Sequence, residues 1–217
     1  MRIPELFVPG RIVFSCEVFP PKKDGPIDSI YQTLDGLQDI RPDFISVTYG
    51  AGGGLAGGAT LQIASLIKDR YGVEPLAHLT CAGARREETA AQLDRLAAAG
   101  IENVLALRGD IPPGGAVKDF LHASDLAAFI RAGWDISVSG ACYPEGHFEA
   151  ASPVEDILNL RKKVEAGAGH LISQLFFDNA AFYQFVERAR IAGIQAPIQA
   201  GIMPVVNRKQ IQRMVSL

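Results

Sequence analysis

Several short apolar runs in this chain break off into residues that can do acid–base or anion-binding chemistry. The densest case is Asn103-Val-Leu-Ala-Leu-Arg-Gly-Asp110. Asn103 to Leu107 has no polar alternation, the pattern of a strand buried on both faces in a parallel sheet. The run ends in Arg108, Gly109 and Asp110, and Pro112-Pro113-Gly114 then turns the chain abruptly out of the sheet. A cation, a flexible glycine and an anion thus sit together at the carboxyl end of a buried strand. That is where α/β proteins bind ligands. Taken alone, the same residues also fit an ordinary ion pair closing a loop.

Other runs end in a similar way. Cys16-Glu17-Val18-Phe19-Pro20 carries a carboxylate inside an otherwise apolar strand. Burial makes such a group costly and raises its pKa, so Glu17 is a candidate general acid near neutral pH, with a structural salt bridge as the alternative. Thr48 and Tyr49 precede the glycines 50 and 52–54, which match no phosphate-loop pattern because no Gly-Lys-Ser/Thr follows. His78, in Ala77-His-Leu-Thr-Cys81, reads by itself as a hydrogen-bonded core histidine. Tyr143 and His147 share one loop. In the next amphipathic segment, Asp156, Asn159 and Lys163 fall at i, i+3 and i+7, on one face of a helix. Ile157, Leu160 and Val164 lie one position further round and are expected to pack on the sheet. The polar stripe is either a solvated face or a holder for a cofactor's ribose and phosphates. Gln174 lies in Leu171-Ile-Ser-Gln-Leu-Phe-Phe177, where a buried amide needs a partner that a ligand could supply.

Strands are expected over 12–18, 44–49, 75–81, 103–108, 136–142, 170–177 and 197–203. Helices are expected over 27–40, 60–71, 86–99, 124–132, 153–166, 180–192 and from 209 onward. Strand–helix units of roughly 25–35 residues mean right-handed crossovers and a parallel sheet. Gly100, Gly133, Gly167 and Gly193 stand where helices should stop. Seven units favour a (β/α)8 barrel over a doubly wound sheet. The 217 residues, 48% of them hydrophobic, suffice for one such domain, and no internal boundary is visible. A net charge of −3 gives no footprint for nucleic acid or an anionic membrane. No apolar run reaches the roughly 18 residues of a membrane span, and the N-terminus does not read as a signal peptide. Cys16, Cys81 and Cys142 are too few and too scattered for a disulfide framework, which suggests reduced thiols and a cytoplasmic location.

Taken together, these segments resemble the methylenetetrahydrofolate reductase family, specifically its flavin-bearing barrel. The resemblance rests on Glu17-Val-Phe-Pro-Pro21, Phe44-Ile-Ser-Val-Thr-Tyr-Gly-Ala51, Ala77-His-Leu-Thr-Cys81, Ala106-Leu-Arg-Gly-Asp110, Tyr143-Pro-Glu-Gly-His-Phe-Glu-Ala150, Gln174-Leu-Phe-Phe-Asp178 and Gly201-Ile-Met-Pro-Val205. They run in family order across nearly the whole chain. The resemblance implies a flavin enzyme that reduces 5,10-methylenetetrahydrofolate to 5-methyltetrahydrofolate with NAD(P)H, by ping-pong hydride transfer, and a homo-oligomer. It implies Glu17 as general acid and Asp110 as the carboxylate beside the flavin pyrimidine edge. It further implies FAD or nicotinamide contacts from Thr48, Tyr49, Ala51, His78, Arg108, Gly109, Asp110, Ala123, Tyr143, His147, Ala150, Asp156, Asn159, Lys162 and Lys163. Gln174 and Gln210 match folate-holding positions, and no metal is implied.

Two rivals remain on the sequence alone. A metal-dependent barrel enzyme could recruit Glu17, His78, Cys81, Cys142 and His147, although their spacing matches no compact ligand motif. A non-catalytic or weakly active flavin- and folate-binding fragment is the other. It follows from an expectation that the barrel lacks its last strand and helix, since the sequence stops inside the helix after the seventh strand. The first and seventh strands would then present open edges, leaving the chain poorly stable or self-associating and only weakly able to hold FAD.

Overall fold

The computed structural model describes residues 1–21, 28–49, 56–111 and 119–215. The apolar runs form seven strands: β1 (Ser15–Val18), β2 (Phe44–Val47), β3 (Glu74–Thr80), β4 (Asn103–Leu107), β5 (Ser137–Cys142), β6 (Ala168–Ser173) and β7 (Ile198–Gln199). They pair in parallel in chain order, from β1 to β7. The helices between and after them are α1 (Asp28–Leu37), α2 (Ala56–Tyr71), α3 (Arg86–Ala98), α4 (Ala123–Gly133), α5 (Pro153–Glu165), α6 (Asn179–Ile191) and α7 (Arg208–Val215). Consecutive parallel neighbours joined by helices give the barrel-type winding expected from the sequence. No helix of the described residues is long and apolar enough to cross a membrane.

Most strands are shorter than expected, β1 and β7 most of all, whereas β3 keeps its expected length one residue earlier in the chain. In contrast, α2 begins a turn earlier than expected, taking in Ala56-Gly-Gly-Ala before Thr60. Side-chain caps fix the later helices. Ser152 accepts from the Glu155 amide, with Pro153 opening α5, and Asp178 accepts from the Ala180 amide ahead of α6.

Two apolar layers hold the fold. The larger packs the outer face of the sheet (Val18, Ile45, Val47, Leu79, Val104, Val138) against Ile63, Leu93, Leu126, Ile130, Ile157 and Phe185 of the helices. The smaller fills the inside of the curl with Phe44, Leu76 and Leu105, and a short 3-10 turn at the N-terminus, Ile3–Leu6, adds Ile3 and Leu6 to it. That turn is fastened by Asn103. Its side-chain oxygen accepts the Ile3 amide at 2.9 Å, and its nitrogen donates to the Met1 carbonyl and to Glu74. The N-terminal residues therefore plug one end of the lumen and leave the carboxyl ends of the strands free.

β1 and β7 are the two edges of the sheet, and no further strand lies between them among the described residues. The curl nevertheless brings them together, for Gln199 of β7 donates to Ser15 Oγ of β1 at 3.0 Å. The inner face carries a polar row at this level. Ser139 bonds His170 at 3.0 Å, and burial pushes the His170 imidazole down to about 4, so it is neutral at physiological pH.

Candidate functional site

Register decides which side chains share the lumen. Glu17 pairs with Ser46, Ser46 pairs with Leu76, and His78 lies two residues beyond Leu76 on the same face. The three polar groups therefore meet near the carboxyl ends of three adjacent strands. Ser46 Oγ is 3.0 Å from Glu17 Oε2 and 3.2 Å from His78 Nε2, and His78 Nε2 is 3.4 Å from the carboxylate. Ser46 and His78 are buried, while the Glu17 side chain keeps 44% of its surface open to the mouth of the barrel.

This geometry corrects the expectation for Glu17. Partial burial does push its carboxyl upward, and is the largest single influence. The hydrogen bond and charge of His78 and the Ser46 hydroxyl together outweigh it, leaving the group below its ordinary 4.5. At neutral pH Glu17 is therefore a partnered carboxylate rather than a neutral acid. His78 is indeed a hydrogen-bonded histidine of the lumen, with the Ser46 hydroxyl as its partner.

A second, larger feature lies across the lumen, a cavity of about 310 Å3 between the ends of β4 and β5 and the helices α4 and α5. Its walls carry Arg108, Ala123, Tyr143, His147, Ala150, Asp156, Asn159, Lys162 and Lys163, all expected from the sequence, together with His122, Ser124, Glu149 and Glu155, which were not. The stripe on α5 is therefore a cavity wall. Asp156 accepts the His147 amide at 3.1 Å and so ties the loop after β5 to the helix. Asn159 accepts from Lys162 at 3.2 Å. Tyr143 meets His147 edge-on at 4.6 Å, and burial raises its phenol.

Lys163 is the unusual member. Its ammonium donates to the Ala141 carbonyl at 2.6 Å and makes no ion pair among the described residues. Burial drives its pKa below the ordinary 10.5, with Asp156 among the weaker opposing charges. The Lys163 stem lies over Gly140, where an added Cβ would come within 2.8 Å of Cδ. A buried cation with only a carbonyl partner is costly unless an anion joins it.

Arg108, in contrast, is paired. Its guanidinium grips both oxygens of Glu149 at 2.6 and 2.9 Å, which holds the Glu149 carboxyl below its usual range. Sequence reading missed Glu149 because no spacing rule links it to Arg108, which lies 41 residues away. Gly109 has φ +78, and a Cβ there would press on Thr80 at 2.9 Å, so glycine is required at this turn. Asp110 is exposed at the end of the same loop and bonds no other described residue.

Other expected residues stand apart from this cavity. The Tyr49 hydroxyl bonds Gln92 of α3 at 3.3 Å, with its ring against the outer core, and Thr48 engages Thr60 through its carbonyl. Ala51 lies outside the described residues, and so does the side chain of Gln210, which sits on α7. Gln174 was expected to be buried within the sixth strand. It is exposed one residue past the end of β6, and its amide oxygen accepts from the Leu175 amide. The strand ends at Ser173, whose hydroxyl receives the Gly201 amide at 2.9 Å. Among the described residues, no group of three or more His, Cys, Asp or Glu could hold a metal ion.

Known proteins share both sequence and fold with this chain. A family model described as methylenetetrahydrofolate reductase matches residues 2–217. The 5,10-methylenetetrahydrofolate reductase of Escherichia coli K12 is 40% identical over 210 residues, covering 97% of this chain and 70% of that enzyme. An Arabidopsis thaliana methylenetetrahydrofolate reductase (NADH) is 40% identical over 222 residues, covering 94% of this chain but 37% of the plant protein. Among solved structures, a Clostridium thermocellum protein described as binding two copies of 5-methyl-5,6,7,8-tetrahydrofolic acid shares the fold, with a TM-score of 0.61 at 15% identity, over 94% of this chain and 70% of that one. With a match running from residue 2 to residue 217 and relatives at 40% identity, the chain belongs to the methylenetetrahydrofolate reductase family.

Proposed function

We propose that this chain is a flavin-dependent reductase that converts 5,10-methylenetetrahydrofolate to 5-methyltetrahydrofolate with NAD(P)H, the two substrates taking turns at one site. The observation that carries the reading is the Glu17–Ser46–His78 cluster: a carboxyl with two proton-exchanging neighbours, open at the mouth of a barrel of this family. Glu17 has the chemistry to protonate N10 of the folate's five-membered ring. The N10–methylene bond then breaks, an iminium forms at N5, and a hydride added to that carbon completes the methyl group.

The cavity residues fit FAD as the cofactor. Among the described residues the Lys163 ammonium has no anion as partner, and a phosphate oxygen would satisfy it. Asp156, Asn159 and Lys162 offer acceptors and donors for ribose hydroxyls. Asp110, exposed just past the end of β4 and bonded to no other described residue, is suited to the edge of a polar ring. When bound, FAD supplies the hydride, taken from the nicotinamide and delivered to the folate carbon. The protein's part is to position both partners, exclude water and move one proton. A folate lying across the mouth would shield Glu17 from solvent, strengthening the influence that already pushes its carboxyl upward and favouring the protonated form.

A cytoplasmic homo-oligomer accompanies this reading, in keeping with Cys81 and Cys142, which are free and buried. The test is direct. Purified protein mixed with FAD should hold it through gel filtration, and the complex should consume NADH or NADPH when methylenetetrahydrofolate is present. Protein that binds no flavin and turns over no folate would refute the proposal.

A further inference from the structure

We infer that Ser46 is a positioning residue for Glu17, a hydroxyl that keeps the carboxyl partnered in both of its protonation states; the inference rests on the reading of Glu17 as the acid. Three observations carry it. Ser46 is 3% exposed on β2, between the strands that bear Glu17 and His78. Its oxygen lies within hydrogen-bond distance of both, at 3.0 and 3.2 Å. The direct separation of His78 Nε2 from Glu17 is longer, at 3.4 Å, so the path through Ser46 is the better hydrogen-bonded one.

A serine hydroxyl has one hydrogen and two lone pairs. While Glu17 is ionised, that hydrogen goes to the carboxylate, and the lone pair facing His78 accepts from Nε2–H. When Glu17 carries the proton, the chain runs the other way. The carboxyl donates to Ser46, whose hydrogen turns toward His78 Nε2, an acceptor in the tautomer that carries its hydrogen on Nδ1. The carboxyl thus keeps Ser46 as a hydrogen-bond partner in either state. No other charged described residue acts on Glu17 from the neighbouring elements.

Alanine at position 46 breaks the chain without filling the lumen, and threonine restores the hydroxyl. The measurement is the NMR titration of the Glu17 carboxyl in ligand-free protein carrying 13C-labelled glutamate, assigned with Glu17→Gln. A parallel pH profile of folate reduction by the flavin-loaded enzyme accompanies it. Ser46→Ala should raise the Glu17 midpoint by about one pH unit and move the alkaline limb of the folate profile the same way. Ser46→Thr should return both toward wild type. A Glu17 midpoint in folded Ser46→Ala that coincides with wild type overturns the inference. If the midpoint moves while Glu17→Gln reduces folate at the wild-type rate, the acid reading is wrong and the inference falls with it, although the hydrogen bond itself stands measured.

Discussion

Replacing Lys163 with methionine separates a structural lysine from a ligand-binding one. The stem packs over Gly140 and, among the described residues, the ammonium bonds only the Ala141 carbonyl. Methionine keeps most of the stem, so the contact with Gly140 survives, while the desolvated charge is removed. Stability of the ligand-free protein should therefore stay within about 1 kcal/mol of wild type or rise, as when a poorly compensated buried charge gives way to an apolar group. Flavin affinity should behave in the opposite way. A charge-assisted bond to a phosphate contributes about 1.5–3 kcal/mol, so its loss should raise the FAD dissociation constant roughly 10- to 150-fold. Fluorescence titration with FAD and a thermal melt of the same sample measure both. The pH dependence follows the sign of the lysine shift. Burial lowers the folded pKa, so the unfolded chain binds this proton more readily, and ligand-free stability should rise with pH between the folded value and 10.5. Flavin affinity should fall over that same alkaline window, as the ammonium loses its proton, and Lys163→Met should lack that fall. A variant that melts far below wild type yet binds FAD unchanged would refute the reasoning, making Lys163 a structural residue.

Other predictions are independent of that one. Glu17 is held below 4.5 in the fold, so its contribution to stability is present above that pH and lost as pH falls through the folded value; Glu17→Gln should flatten that part of an acid unfolding curve, and an unchanged curve would contradict the pairing with His78. Asn103→Ala strands the Ile3 amide and the Met1 carbonyl, so chemical denaturation should register a loss of about 1–3 kcal/mol or more, whereas a loss below about 0.5 kcal/mol would mean that the N-terminal plug is loosely held. Burial pushes Cys81 up to about 11 and Cys142 up to about 12, so neither should react measurably with a thiol reagent at pH 8 until the protein unfolds. Gly201→Ala would bring a Cβ within 2.1 Å of the Ser173 carbonyl oxygen, and should lower the melting temperature by several degrees.

The parallel barrel was legible in the sequence because strands buried on both faces read as apolar runs, and because glycines mark the helix ends. The stretch Asn103 to Leu107 carries that signal locally. The wall of the cavity was legible for a related reason, since Asp156, Asn159 and Lys163 keep helical spacing and α5 is regular. What escaped depends on contacts between distant segments. Nothing near Ile3 indicates that residues 3–6 fill the lumen, for that outcome is set by Asn103 and by the small inner layer around Phe44 and Leu76. Ser46 was passed over as one residue in an apolar strand, because only the register of three strands places it between Glu17 and His78. The direction of the Glu17 shift was misjudged on the same account, since burial was visible in the sequence while the two donors opposing it were not. Gln174 failed differently. The strand was drawn four residues too long, and its end at Ser173 puts the amide outside.

The central claim is that Glu17 works in the folate half of a two-step hydride transfer, and rapid-mixing absorbance of the FAD-loaded protein near 450 nm, the flavin band, tests it. In wild type, NADH or NADPH should bleach the band and methylenetetrahydrofolate, added without oxygen, should restore it. In Glu17→Gln the bleaching should proceed as before, while recovery with folate slows by roughly 10²–10⁴-fold, the usual scale for a lost general acid. Recovery at the wild-type rate, or bleaching and recovery slowed alike, would contradict the role assigned to Glu17.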